Sequence, residues 1–507
     1  MTILTDIFDG NYHVYSEYPM VYFEGESITN HQRYDRLSRL GNGLKALGLQ
    51  PGDLLLIHME NLPDIVNLYI ACAKSGIIFC PTMFLISAEE LSWIAENSGA
   101  KYIATSPELL PKVRLACPQL VEAGAVILTG SEPHPGTLLL EELIENQAEV
   151  LETLPDLADD DLAAVLYTSG TTGKPRGVML THKNIGSNVH SLAISNHITR
   201  DEIAVSALPL SHAYGLTMSF LPWLSGLTYV LMRWFDPEAV FEFTEKYHVR
   251  TMTGVPAMYI QMLNHPRAWQ YNCKSWKRLQ TGAAPLPEEV LRAFRQKFGA
   301  FLYEGYGLTE ASPVVSCQRP ELEVKPGSVG PAIYGVEVKI RDGYERELPA
   351  GSPGEITVRG PNVMKGYLND KEDTDKALRG GWLHTGDIGY MDEEGYIFIV
   401  ERKKDLIITG GFNLYPSEVE MVIEKHPAVK EAAVIGGPDP VKGEVVHAFV
   451  VLERGREVSE TALIEFIRES LVYYKCPQSV TFLDELPRTF LGKPSRRELR
   501  DHILHRP

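Results

Sequence analysis

Between residues 28 and 47 apolar side chains recur at helical spacing, with Tyr34, Leu37, Leu40, Leu44 and Leu47 on one stripe, which predicts an amphipathic helix. A turn at 48–53 then leads into residues 54–58, a short apolar run of strand length. The alternation continues with a helix at 64–75, a strand at 77–80, a helix at 88–98 and a strand at 102–105. Strands alternating with helices predict α/β layers with parallel sheet. Residues 121–161 are acidic and read as loop; 162–166 is an apolar run suited to a buried strand, 182–194 a helix and 203–208 a strand. A second strand-to-glycine turn, Leu279-Gln280-Thr281-Gly282, precedes a helix opening at Pro287, and another strand starts near Phe301. Past Ser328 the pattern changes to short strands at 336–340, 355–359 and 396–400, a small β-rich subdomain over about 328–403. The charge run Glu401-Arg402-Lys403-Lys404-Asp405 follows, and the chain beyond it has its own α/β pattern, long enough for a small domain. The expected organisation is a large domain of layered α/β subdomains over 1–403 and a small α+β domain over 404–507, with Lys404 as a hinge between them.

The most informative chemistry follows the strand at 162–166. Tyr167-Thr168-Ser169-Gly170-Thr171-Thr172-Gly173-Lys174-Pro175-Arg176-Gly177 packs four Ser/Thr hydroxyls, three glycines, a lysine and an arginine into eleven residues. Glycines let backbone N–H groups approach an anion, hydroxyls add hydrogen bonds and Lys174 adds a point charge, so polyphosphate is the natural guest. A Walker A loop is excluded, because Thr168 stands where its first glycine belongs and Pro175 follows the lysine. A flexible polar surface loop is the plain alternative for such a string.

Composition narrows the classes. The 507 residues are 44% hydrophobic, enough for several cores. A formal charge of −18 with dispersed basic residues argues against a nucleic-acid-coating surface. Six cysteines form no Cys-x-x-Cys pair, so neither a zinc site nor a disulfide framework is indicated, and a reducing cytosol fits. No basic region followed by a long apolar core opens the chain, and the apolar stretch at 67–86 is broken by Lys74, Gly76 and Pro81, which suits a buried helix and strand better than a transmembrane segment. A cytoplasmic enzyme is expected, with a homodimer as one option.

The eleven-residue string closely resembles the phosphate loop of the adenylate-forming superfamily, which contains acyl-CoA synthetases, adenylation domains and luciferases. Five further stretches resemble that superfamily in the right order, so the resemblance spans essentially the whole chain. In Glu304-Gly305-Tyr306-Gly307-Leu308-Thr309-Glu310 it implies that Tyr306 stacks on adenine, Thr309 meets phosphate and Glu310 holds Mg²⁺. An aromatic face suits a purine, and a hard oxygen ligand suits a cation shared with phosphates. Gly282, Ala283 and Ala284 would pass along the adenine and the acyl pocket; Asp387, in Trp382-Leu383-His384-Thr385-Gly386-Asp387, and Arg402 would read the ribose hydroxyls. Gly410 and Gly411 would lie along the pantetheine arm of CoA, and Lys493, in Pro487-Arg488-Thr489-Phe490-Leu491-Gly492-Lys493, would contact the substrate carboxylate and the α-phosphate. Pro494-Ser495 departs from the aliphatic residue expected after that lysine.

The implied reaction has two halves. A carboxylate attacks the α-phosphorus of ATP and pyrophosphate leaves, then a thiol attacks the acyl adenylate. Positioning and charge neutralisation by Lys174, the loop hydroxyls, Glu310 with Mg²⁺ and Lys493 carry the first half, and rotation about Lys404 would exchange Lys493 for Gly410 and Gly411 in the second. His212, Tyr214 and Gly215, in Pro-Leu-Ser-His-Ala-Tyr-Gly, with Gly282 and Gly305, would line the acyl pocket. Residues 211–222 contain no acid to pair an amino-acid ammonium, and 304–313 contain no cation for a second carboxylate, so an uncharged fatty acid of medium or long chain is the leading expectation. An aryl acid, a carrier-protein phosphopantetheine in place of CoA, and luciferase-type chemistry stay open.

Overall fold

The computed structural model describes residues 4–151, 157–168, 174–402, 405–409, 412–439, 443–488, 494–496 and 498–500. The chain divides into two compact units, one of residues 1–338 with 358–384 and one of residues 339–357 with 385–507.

The first unit contains two eight-stranded sheets. One runs in the order Gly366–Tyr367, Arg176–Thr181, Leu162–Thr168, Ile78–Pro81, Leu54–His58, Tyr102–Thr105, Val126–Leu128, Leu138–Leu139. Its interior is parallel, as the alternation of strands and helices predicts, and its Gly366–Tyr367 end is antiparallel. Three-residue and two-residue strands at 126–128 and 138–139, with the helix Leu140–Ile144, occupy the stretch expected to be loop. Such short strands are too brief to display a period of two in the sequence. The second sheet runs Val314–Cys317, Leu302–Gly307, Arg278–Thr281, Thr251–Gly254, Ile203–Ser206, Thr228–Leu231, Pro19–Phe23, Glu26–Thr29.

Helices that are apolar on all faces need cover on all faces. In Pro63–Lys74 every residue from Ile65 to Ala73 is buried, and in Ala213–Ser225 every residue from Gly215 to Trp223 is buried. Tyr69 of the former stacks on Phe79 of the first sheet at 4.9 Å and meets Phe220 of the latter edge-on at 6.5 Å, so these helices lie between the sheets. Asn61 completes the junction: its Nδ2 donates to the carbonyls of Leu208 and Met232, and its Oδ1 accepts from Leu210 N–H.

The second unit contains most of a sheet built from Glu337–Arg341, Gly354–Arg359 and Trp382–Met391, onto which Ile397–Arg402 pairs antiparallel. A further sheet runs Phe412–Leu414, Ile407–Thr409, Gly443–Leu452, Val429–Asp439, with Ser479–Phe482 parallel to Gly443–Leu452. The helices Pro416–Ile423 and Glu460–Ser470 bury Val419, Ile423, Leu463 and Ile467 against it. Arg496 gathers three carboxylates of this unit, Glu401 at 2.7 Å, Glu420 at 2.9 Å and Asp405 at 3.5 Å.

Candidate active site

The 167–177 string joins the two strands of a β-hairpin. Leu162–Thr168 pairs antiparallel with Arg176–Thr181, and Thr168 stands opposite Arg176. The string therefore links strand to strand, and no helix N-terminus follows it, as Pro175 requires. Ser169, Gly170, Thr171, Thr172 and Gly173 lie outside the described residues. The helix Ala88–Ser98 braces the hairpin from one side: Trp93 Nε1 donates to the Pro175 carbonyl at 3.2 Å, the Lys174 ammonium sits 4.1 Å from the Trp93 ring centre, and Tyr167 Oη donates to Asn97 Oδ1 at 2.6 Å. Trp93 and Asn97 share a helical face by their spacing of four. Nothing in the sequence links Trp93 to a lysine 81 residues later.

Glu310 reaches the same hairpin from the other sheet. Strand Leu302–Gly307 ends in the short 3₁₀ turn Thr309–Ala311, which carries Thr309 and Glu310 partly exposed. Tyr367, on the strand beside Arg176–Thr181, donates from Oη to Glu310 Oε1 at 2.9 Å. The Arg176 guanidinium lies over the Tyr367 ring at 4.6 Å and bonds Asp373 at 2.6 Å. Among the described residues no cluster of three or more metal-ligating side chains exists. A partly exposed carboxylate whose second oxygen has no hydrogen-bond partner among the described residues fits Mg²⁺, which is commonly held by one or two carboxylates, water and substrate phosphates. Tyr306 is 8% exposed within its strand. Beside it, Glu304 is 7% exposed, and its carboxyl accepts the Leu286 N–H at 3.3 Å. Burial pushes this carboxyl up to about 7, against the smaller downward pull of that hydrogen bond.

Gly282, Gly305 and Tyr214 are brought together. A Cβ on Gly282 would sit 3.1 Å from the Gly305 carbonyl and 3.5 Å from the Tyr214 ring, so both glycines permit close passage of backbone there. Ala283 follows with φ of +66°, an uncommon conformation for a residue with a Cβ. His212 caps the helix Ala213–Ser225: its Nδ1 accepts the Tyr214 N–H at 3.2 Å. Burial lowers its imidazole to about 4, so the ring is neutral at physiological pH. Gly215 serves packing, since a Cβ on it would lie 2.1 Å from the Pro209 carbonyl oxygen.

One helical turn beyond Tyr214 on its helix, and two residues before Gly282 on its strand, lies a narrow cavity of about 20 Å³ between the helix and the second sheet. Val205, Met218, Leu221, Tyr229, Gln280 and Arg278 are among its lining residues. Thr253 Oγ1 contacts Met218 Sδ at 3.7 Å. The stretch 304–313 contains no cation, but Arg278 supplies one at this cavity, neutralised by an ion pair with Glu202 and bonded to the Asn196 carbonyl at 2.8 Å. Met218 follows Tyr214 by four residues, so helical spacing could have pointed to it; Arg278 carries no such signal.

In the second unit Asp387 and Arg402 face each other in register on neighbouring strands, with Arg402 Nε 2.9 Å from Asp387 Oδ1. Asp387 is buried and Arg402 exposed, an arrangement in which a hydroxyl pair could share the carboxylate. Lys404, Gly410, Gly411 and Lys493 lie outside the described residues.

Residues 8–368 match the AMP-binding enzyme family, and residues 418–493 match the AMP-binding enzyme C-terminal domain. The chain is 37% identical over 481 residues to a feruloyl-CoA synthase of Amycolatopsis sp, covering 94% of each. It is 36% identical over 508 residues to a long-chain-fatty-acid–CoA ligase of Bacillus subtilis, covering 94% of this chain and 90% of the ligase. It is 34% identical over 496 residues to the fatty acid–[acyl-carrier-protein] ligase ScoC of Streptomyces coeruleorubidus, covering 96% of this chain and 93% of that protein. The crystal structure of ATP-bound MatB from Rhodopseudomonas palustris superposes with a TM-score of 0.90 at 32% identity over 99% of both chains. No helix among the described residues is long and apolar enough to cross a membrane. With a glycine- and hydroxyl-rich hairpin and a carboxylate-bearing turn joined through Tyr367, and with relatives named as acyl- and aryl-CoA ligases along nearly its whole length, the chain belongs to the AMP-binding enzymes of the adenylate-forming superfamily and is an ATP-dependent acyl- or aryl-CoA ligase.

Proposed function

We propose that the substrate is a monocarboxylic acid with an uncharged, apolar tail, a medium- or long-chain fatty acid foremost, activated as acyl-AMP and transferred to CoA. The observation that carries this reading is the cavity beyond Tyr214 and Gly282: Val205, Met218 and Leu221 offer apolar surface, and Glu202 already neutralises its one arginine. A charged tail would find no free counter-ion on that lining and would lose its hydration. Methionine is flexible, so Met218 can move aside for a chain longer than the resting cavity.

In the first half-reaction a carboxylate oxygen forms a bond to the α-phosphorus while the bond to the pyrophosphate oxygen breaks. Lys174, Thr168 and the loop hydroxyls bind the departing phosphates, and neutral His212 with Gly282 and Gly305 orients the acid. Glu310 is the carboxylate that would hold Mg²⁺, whose contribution is to neutralise charge on the phosphate oxygens. Lys493 balances charge at the α-phosphate, and Asp387 with Arg402 holds the ribose. In the second half-reaction the CoA thiolate attacks the acyl carbonyl, AMP leaves, and Gly410 and Gly411 border the pantetheine arm.

The narrowness of the cavity and the 37% identity to a feruloyl-CoA synthase favour a second reading, an aryl acid, whose flat ring needs less depth. Pyrophosphate release with butyrate, octanoate, palmitate, ferulate, benzoate and an amino acid, each with and without CoA, separates them. CoA-stimulated turnover of octanoate or palmitate above ferulate supports the first reading, and the reverse order establishes the second. Release that ignores CoA and responds to a phosphopantetheinylated carrier protein would assign the acceptor seen in the name of ScoC.

A further inference from the structure

Glu310 can hold a cation well only if its carboxylate is aimed before ligand arrives, because a free glutamate side chain loses rotamer freedom on binding. One residue supplies the aim. Tyr367 lies 57 positions further along the chain, is 6% exposed, and donates its hydroxyl proton to Glu310 Oε1 at 2.9 Å, leaving Oε2 for other partners. Its ring is clamped. Arg176 covers one face at 4.6 Å and is itself held by Asp373 at 2.6 Å, while Tyr367 N–H donates to Thr374 Oγ1 at 2.8 Å. Backbone pairing places Tyr367 opposite Val178 on the strand that leaves the phosphate hairpin.

We propose that Tyr367 is a positioning residue that presets Glu310 for the metal–ATP complex, so that one strand sets both the phosphate hairpin and the metal carboxylate. This rests on the reading of Glu310 as the carboxylate that holds Mg²⁺. The hydrogen bond fixes one carboxylate oxygen, and the Arg176–Asp373 pair fixes the ring that makes it. Deleting the hydroxyl leaves the ring, its stacking and the strand pairing in place, so the loss is confined to the orientation of Glu310.

The test is binding, without turnover. ATP affinity is measured by calorimetry on the full chain, with Mg²⁺ and with EDTA, for wild type, Tyr367→Phe, Glu310→Gln and the double variant; circular dichroism and Tm check each fold. The metal factor is the ratio of the two affinities. In Tyr367→Phe it falls at least about tenfold, the size expected for one hydrogen bond to a charged group, while affinity in EDTA is unchanged. Glu310→Gln lowers the factor further, and adding Tyr367→Phe to it changes nothing more, as a shared pathway requires. A wild-type metal factor in Tyr367→Phe together with a lowered one in Glu310→Gln would overturn the proposal and leave Glu310 as the metal carboxylate. Equal weakening with and without metal would also overturn it, by reducing Tyr367 to a structural role. A wild-type factor in Glu310→Gln would remove the reading of Glu310 itself. Should Tyr367→Phe not fold, Glu310→Asp, which withdraws the carboxylate from Tyr367 while keeping its charge, must show the same drop in metal factor for the proposal to stand.

Discussion

At the scale of single residues, two kinds of buried titratable group give opposite pH signatures. Glu304 carries a carboxyl raised from 4.5 to about 7 by burial, so the folded state binds a proton that the unfolded state has released between those values. Stability from this group is therefore complete below about 4.5 and lost as pH rises toward 7, on the order of 3 kcal/mol over the whole window. Glu304→Gln keeps the acceptor for Leu286 N–H without the charge, and its urea midpoint at pH 8 should exceed that of wild type, with the gap closing at pH 5. His182, fully buried, is lowered from 6.5 to about 4, chiefly by burial and against the upward influence of Asp161 and Asp159. Here the unfolded state binds the extra proton, so stability is complete above about 6.5 and lost as pH falls toward 4. Met218 gives a residue-scale prediction about substrate. Met218→Ala removes side-chain volume from the cavity wall; at about 0.8 kcal/mol per buried methylene, kcat/KM for octanoate relative to butyrate should rise at least about tenfold. An unchanged ratio would place the acyl tail elsewhere.

At the scale of elements, the helix Ala213–Ser225 does two things at once: it fills the space between the sheets with Phe220 and Trp223, and it presents Met218 and Leu221 to the cavity. Its seat depends on Gly215, where a Cβ would collide with the Pro209 carbonyl at 2.1 Å. Gly215→Ala should destabilise the first unit by about 1–3 kcal/mol and raise KM for the acid, since the helix must shift away from the segment that carries His212. Thermal unfolding and acid KM measured on the same preparation check this, and a stable variant with altered KM alone would assign Gly215 to the pocket. The helices and strands from residue 30 to residue 105 were legible because each is long enough to show its period. The brief strands at 126–128 and 138–139 were not legible, because pairing with neighbours, and not local pattern, makes them strands.

At the scale of the whole molecule, the reading of two alternating half-reactions makes the 404 position and Lys493 separable by assay. Lys493→Ala should lower acid-dependent pyrophosphate exchange at least about 100-fold, the size expected when one preorganised charge is removed from a transition state, while thioester formation from supplied acyl-AMP stays within a few-fold of wild type. Lys404→Pro should leave one half-reaction near wild type and depress the other at least tenfold, because proline removes backbone freedom at the proposed pivot. Equal effects of either substitution on both half-reactions would remove the exchange mechanism.

The amino-acid sequence by itself determined the layered α/β character, the order of the chemical stretches and the glycine-, hydroxyl- and cation-rich character of 167–177, because periodicity, glycine placement and local charge are properties of neighbours along the chain. It also carried the family, through short strings whose residues act together. Only the tertiary structure decided what faces those strings. Trp93 under Lys174, Tyr367 on Glu310, Arg278 neutralised by Glu202 at the cavity and the raised carboxyl of Glu304 all join residues 18 to 81 positions apart or depend on burial. Burial and long-range contact arise from packing two sheets around shared helices, and no local window of sequence contains them.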